Sequence, residues 1–162
     1  MKHSLKKIAV IVGSSICAFQ MVNISVMAEV PENTSYRWEN FASEEETSVE
    51  DTATPRARGD ILNCGHVKLS NLDGNAGIYG ETLCNFTLDE VGLEIYLEKY
   101  DGTVFNSYKD WSYVTYNTYH NTKALTTTVD KGFYYRLQGY HYAIDDELFE
   151  TANTMTNGLP IK

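Results

Sequence analysis

From residue 60 to the C-terminus, short runs of Tyr, Thr, Val, Leu and Ile alternate with breaks built from Gly, Asn and Asp, and no segment keeps a helical period. That rhythm is strand-and-turn chemistry. β-Branched and aromatic side chains pack well on a pleated surface, while Gly, Asn and Asp accept the backbone angles of tight turns. Seven strands are expected, over 66–71, 77–86, 91–99, 104–116, 122–129, 133–143 and 148–156. Between them lie Asp73-Gly74-Asn75, Asp101-Gly102, Asp130-Lys131-Gly132 and Asp145-Asp146. Strands of this number and spacing in about 100 residues imply an all-β fold, an antiparallel two-sheet sandwich.

Successive side chains of a strand point to opposite faces, so each run can be split into an inner and an outer set. In "GFYYRLQGYHYA", residues 132–143, one set holds Tyr135, Leu137, Gly139, His141 and Ala143, and the other Tyr134, Arg136, Gln138, Tyr140 and Tyr142. The first contains the aliphatic residue and no formal charge, so it is expected to face the core. Over 91–97, Val91, Leu93, Ile95 and Leu97 form an unbroken apolar face, with Gly92, Glu94 and Tyr96 opposite. Burying those four aliphatics contributes on the order of 6 to 12 kcal/mol before chain entropy is subtracted.

The N-terminal third follows different rules. Residues 1–7 carry three lysines and no acid, 8–26 are mostly apolar, and Val26-Met27-Ala28 fits a signal-peptidase site, so 1–28 read as a secretory signal peptide. The alternative is a membrane anchor, but Gly13, Ser14, Ser15, Gln20, Asn23 and Ser25 interrupt the apolar run. Residues 29–59 are acidic and poor in apolar side chains, and read as a disordered linker. Tyr36, Trp38 and Phe41 form an aromatic island within it, and Arg58-Gly59-Asp60 matches an integrin-binding tripeptide of a kind that recurs by chance. The folded domain is expected over 60–162.

Loss of the leader removes Lys2, Lys6 and Lys7, leaving 10 bases against 22 acids and a net charge of −12. Such a chain repels phosphate backbones and anionic bilayers, which argues against nucleic acid as a partner and against membrane insertion of the mature chain. Of the three cysteines only Cys64 and Cys84 then remain, and an exported pair reads as a disulfide. Closing that loop would stabilise the fold by about 3 kcal/mol.

Val129-Asp130-Lys131-Gly132-Phe133-Tyr134-Tyr135, followed by Leu137 and Ala143, resembles the turn into the sixth strand of fibronectin type III domains, within the immunoglobulin-like sandwiches. That resemblance implies that Tyr135 is a corner tyrosine whose hydroxyl bonds back to the backbone. It also implies that strands 91–99, 133–143 and 148–156 are neighbours. The proline usual before the glycine is missing here. A second resemblance covers nearly the whole folded part: "IYGETLCNFTLDEVGLEIYLEKYDG", Trp111, "GFYYRLQGYHYA" and "ETANTMTNGLPI" are similar to an uncharacterised family of small secreted proteins from Gram-positive bacteria. Phe133 replaces a tyrosine of that pattern, and Cys84 stands where a small residue is expected. What this resemblance implies is export and the fold.

If those strands are neighbours, the outer face displays Tyr96, Tyr134, Arg136, Gln138, Tyr140 and Tyr142 together, flanked by Glu94 and Glu98. Such a surface suits stacking on sugar rings or gripping a peptide, since a ring supplies rigid apolar area and the polar groups fix orientation. The bland alternative is cross-strand packing of tyrosines, with Arg136 stacked on Tyr134 or paired with Glu94. A secreted, non-catalytic binding module for a glycan or a cell-envelope protein is therefore expected, with a structural envelope element as the alternative and a secreted hydrolase after it. No cofactor is expected. The Gly-x-Ser-x-Gly, His-Glu-x-x-His and Cys-x-x-Cys patterns are absent. Glu94 and Glu98 on one strand would be about 13 Å apart, too wide for a glycosidase pair. His141 is expected as a hydrogen-bonded core histidine, and Asp145, Asp146, Glu147 and Glu150 as a solvated acidic turn rather than a calcium site.

Overall fold

The computed structural model describes residues 41–55 and 60–162. The expected signal peptide, the linker residues 29–40 and 56–59, Tyr36, Trp38 and the Arg58-Gly59 dipeptide lie outside the described residues. Among the described residues every regular element is a strand: β1 (Ser48–Ala53), β2 (Leu62–Leu72), β3 (Asn75–Tyr100), β4 (Phe105–Thr128), β5 (Phe133–Asp145), β6 (Leu148–Met155) and β7 (Leu159–Ile161). All pairings between them are antiparallel.

The organising unit is the hairpin of β3 and β4, 26 and 24 residues long. β3 pairs through Asn75–Cys84 with β2 and through Glu90–Lys99 with β5, while β4 follows its other edge along both halves. The β3–β4 ladder breaks between Leu83 and Leu88, opposite His120 and Thr118, and Asn117 just beyond takes a positive φ of 53°. One sheet, ordered β1-β2-β3-β5-β6, thereby folds back on itself. β2 packs against β5 and β6, and β1 against β6, so the two layers approach closure into a barrel. The fold is the expected antiparallel two-layer sandwich, with layers continuous through β3 and β4 rather than separate sheets. Two pairs of expected strands, 77–86 with 91–99 and 104–116 with 122–129, are therefore single strands.

Part of the expected linker is structured, which corrects the boundary at residue 60. β1 pairs with β2 from Ser48↔Ser70 to Ala53↔Gly65, and Val49 is buried in the core. Phe41 bridges to Gly158, and the Ala42 amide donates to the Gly158 carbonyl at 2.8 Å. A six-residue strand with one buried aliphatic gains its stability from the neighbour it pairs with, not from its own composition.

The interior splits into two apolar clusters. The larger gathers Val67, Leu69, Ile78, Leu93, Ile95, Leu97, Tyr135, Leu137, Leu159 and Ile161; the smaller gathers Ile61, Leu62, Cys84, Leu88, Val91, Ala143 and Ala152. Along β5 the residue between Leu137 and Ala143 on the inner face, beyond Gly139, is His141, so a polar seam lies where the clusters would merge. His141 is fully buried, with Nδ1 2.9 Å from Thr82 Oγ1 and Nε2 2.9 Å from Thr154 Oγ1. Thr82 commits its own proton to the Gly92 carbonyl at 2.9 Å, so in this network Nδ1 carries the imidazole proton and Thr154 donates to Nε2. Gly65 and Gly139 make the room: a Cβ on either would collide with the imidazole. Desolvation, reinforced by His66, pushes His141 down to about 4. It is the structural histidine expected from its place on the inner face.

The expected disulfide is not formed; Cys64 and Cys84 are free thiols. The reason lies in strand register. Cys64 sits opposite Leu83 on the outer face of β2, beside a bulge, whereas Cys84 sits opposite Leu62 and packs into the smaller core cluster. Side chains that leave the sheet on opposite faces are poorly aimed for the Cβ geometry a disulfide requires. Burial raises both thiols above their ordinary value, Cys84 to about 12 with help from the Glu150 carboxylate.

Candidate binding face

β3 and β5 pair so that Glu98 lies opposite Arg136, Tyr96 opposite Gln138, Glu94 opposite Tyr140 and Gly92 opposite Tyr142. The six residues selected from alternation, Tyr96, Tyr134, Arg136, Gln138, Tyr140 and Tyr142, thus share the outer face of one layer. The structure divides them into two groups.

Arg136 and Tyr134 belong to a closed aromatic cluster. The Arg136 guanidinium lies 4.3 Å from the Phe105 ring centroid, Nε donates to Glu98, and the residue is only 4% exposed. Phe41 stacks on Phe105 at 5.6 Å and meets Tyr100 and Tyr134 edge-on at 5.0 and 4.9 Å. Phe41, the one member of the expected aromatic island among the described residues, therefore docks onto the domain. Arg136 pairs with Glu98 and stacks on Phe105, not with Glu94 and Tyr134, and its guanidinium is covered rather than presented.

The second group is presented. The Tyr142 ring lies across Gly92 of the neighbouring strand, where a Cβ would penetrate it, and its hydroxyl donates to Glu90 Oε1 at 2.9 Å. The bare backbone of Gly92 lets the ring settle onto the sheet, and the carboxylate fixes its rotation. Tyr140 stands 6.0 Å from Tyr142 and Phe149 6.2 Å from it on the other side, centroid to centroid. Tyr96 donates its hydroxyl to Glu94. Adjacent strands extend the face with Tyr116 opposite Glu90, Val114 opposite Gly92, Asp110 opposite Tyr96, Phe149 opposite Ile144 and Met155 opposite Gln138. Tyr116 and Phe149 are 64% and 59% exposed, and Val114 and Met155 are also exposed.

The carboxylates leave their mark on the tyrosines. Tyr96 is pushed up to about 12, first by its hydrogen bond to Glu94 and then by burial. Tyr142 reaches about 12 through burial and Glu90, and burial with Glu94 raises Tyr140. All three phenols stay protonated near neutrality, as donors and as neutral apolar rings.

Alternation did not reveal Glu90, Asp110, Val114, Tyr116, Phe149 and Met155. Glu90 and Tyr116 become legible only once β3 and β4 are seen to run unbroken through the polar stretch Asn85–Glu90 and past Asn117. The acidic hairpin tip does not gather its carboxylates. Glu150 turns to the amides of Asp60, Ile61 and Leu62 at 2.7, 3.2 and 2.8 Å, and the Asp146 amide bonds Asp89 at 3.2 Å. Among the described residues no group of three or more His, Cys, Asp or Glu could hold a metal ion.

No curated protein and no solved structure matches the chain. One family profile does, over residues 25–159, which include every strand but the last two residues of β7 and every side chain of the tyrosine face. The chain therefore belongs to DUF6147, a family of unknown function.

Proposed function

We propose that this is a secreted, non-catalytic module that binds a glycan on the outer face of β3, β5 and β6. The observation that carries the reading is the Tyr142 ring, laid over Gly92 and held by Glu90, with Tyr140 and Phe149 on either side of it. Sugar rings have apolar faces and polar rims. A flat row of aromatic rings matches the faces, and Gln138, Asn153 and the carboxylates offer partners to the rim. Export follows from the leader-like residues 1–28. A Gram-positive origin and kinship with fibronectin-like sandwiches are part of the same reading. The Tyr135 hydroxyl, which donates to the Asp130 carbonyl at 2.8 Å, supports that kinship.

The test is capture on an array of cell-wall and host glycans by the wild-type chain and by Tyr140→Ala and Tyr142→Ala, with a pull-down of envelope proteins run beside it. Specific capture that both substitutions abolish is the expected result. Silence on every glycan with a protein partner recovered would replace the glycan by a protein. Silence in both assays would leave the rings as packing and favour a structural element of the envelope.

A further inference from the structure

The tyrosine rows carry carboxylates that no cation answers. Glu90 lies in the row of Tyr116 and Ile144, Glu94 in the row of Ser112 and Tyr140, and Asp110 in the row of Tyr96 and Gln138. Four acidic groups elsewhere do pair with a cation: Glu98 with Arg136, Asp130 with Lys99 at 2.8 Å, Glu44 with Lys162 at 2.8 Å and Glu50 with Lys68 at 3.7 Å. Among the described residues no Lys, Arg or His forms an ion pair with Glu90, Glu94 or Asp110. On this face Glu90 accepts the Tyr142 hydroxyl and Glu94 the Tyr96 hydroxyl.

We infer that the ligand of this face is cationic, a glycan carrying free amino groups, seated with its rings on Tyr140 and Tyr142 and its ammonium groups against Glu90, Glu94 and Asp110. The inference rests on the glycan reading above and sharpens it. A neutral sugar laid over these rows can donate its hydroxyls to the two half-buried carboxylates but brings no charge to offset their desolvation, which is costly. An anionic polymer would be repelled by them and by the net charge of the chain. An ammonium group restores a partner to each carboxylate and is drawn to the faces of the adjacent rings. A lysine-rich peptide shares the charge but not the flat, two-sided ring shape that the row of tyrosines fits, so the glycan is favoured.

The experiment titrates the full chain with hexamers of β-1,4-linked glucosamine and of N-acetylglucosamine, which differ in charge and share a backbone. Three variants accompany it: Glu90→Gln with Glu94→Gln, Tyr142→Ala, and Glu147→Gln. The last makes an acid-to-amide change at the exposed tip between β5 and β6. The expected result is binding of the free-amine hexamer about tenfold tighter than the acetylated one. That preference should shrink in 0.5 M salt, vanish in the double glutamine variant and survive in Glu147→Gln. Equal binding of both hexamers, lost in Tyr142→Ala, would overturn the charge inference and leave the glycan reading standing. A preference that persists in the double variant would place the cation elsewhere and overturn it too. Failure of both hexamers while a lysine-rich peptide binds through Tyr142 would overturn both readings in favour of a peptide.

Discussion

The Tyr142 ring lies directly over the α-carbon of Gly92 on the adjacent strand, so one residue's missing side chain sets the other's orientation. Because a Cβ at position 92 would occupy the ring, Gly92→Ala must displace it. The expected cost is about 1 to 3 kcal/mol, the usual range for overpacking. Glycan capture should fall by at least about tenfold, since stacking needs the ring at its place. Thermal unfolding and glycan titration of this variant separate the two effects. A variant that binds as the wild type does would show that the position of Tyr142 is irrelevant to recognition.

The buried imidazole makes stability depend on pH. The unfolded chain protonates His141 near 6.5, and the folded chain only at about 4, so the unfolded state binds the extra proton between those values. The contribution is therefore complete above pH 6.5 and is lost as pH falls toward 4, by about 3 kcal/mol in all. Other carboxylates titrate in the same window, so the measurement is the difference between wild type and His141→Gln in urea unfolding at pH 7.0, 5.5 and 4.5. The wild type should lose more stability on acidification. Parallel curves would mean that His141 is not held neutral by the fold.

Glu150 joins the two layers at one end, with its carboxylate accepting three successive amides from Asp60, Ile61 and Leu62. Glu150→Ala leaves those donors without that acceptor and should lower stability by about 3 kcal/mol, with Glu150→Gln losing less. Hydrogen exchange adds a local readout: the amides of Ile61 and Leu62 should lose protection before those of β5. Unchanged protection at 61 and 62 would contradict the latch.

The thiols are separately testable. With Cys64 half-buried, Cys84 buried and both thiols raised, the chain lacking residues 1–28 should take up at most one alkylating group at pH 8 while folded. It should take up two after denaturation without reductant. A second adduct that appears only after reduction would show a bond between them.

The inner and outer sets of β5 were legible because strict alternation over 133–143 leaves one face without charge. The structure buries Tyr135, Leu137, Gly139, His141 and Ala143 accordingly. The adjacency of β3, β5 and β6 was legible through the resemblance to a sandwich turn. What escaped the sequence is non-local. β1 looks like linker because its partners on β2 are what hold it, and β3 looks broken because Asn85, Phe86 and Thr87 are exposed at the fold-over. Arg136 looks available because Phe105 and Phe41, 31 and 95 positions away, are what cover it. The cysteines look like a bridge because sequence separation says nothing about which face each side chain leaves.

Ring-resolved NMR of the chain, titrated with whichever glycan it captures, locates the ligand on or off the tyrosine face. The expected result is that the ring signals of Tyr96, Tyr140, Tyr142 and Phe149 shift together with ligand concentration. Tyr79, on β2-paired backbone in the other layer, and the core residue Tyr135 should stay in place. Shifts centred on Tyr79, with Tyr140 and Tyr142 unmoved, would contradict the account.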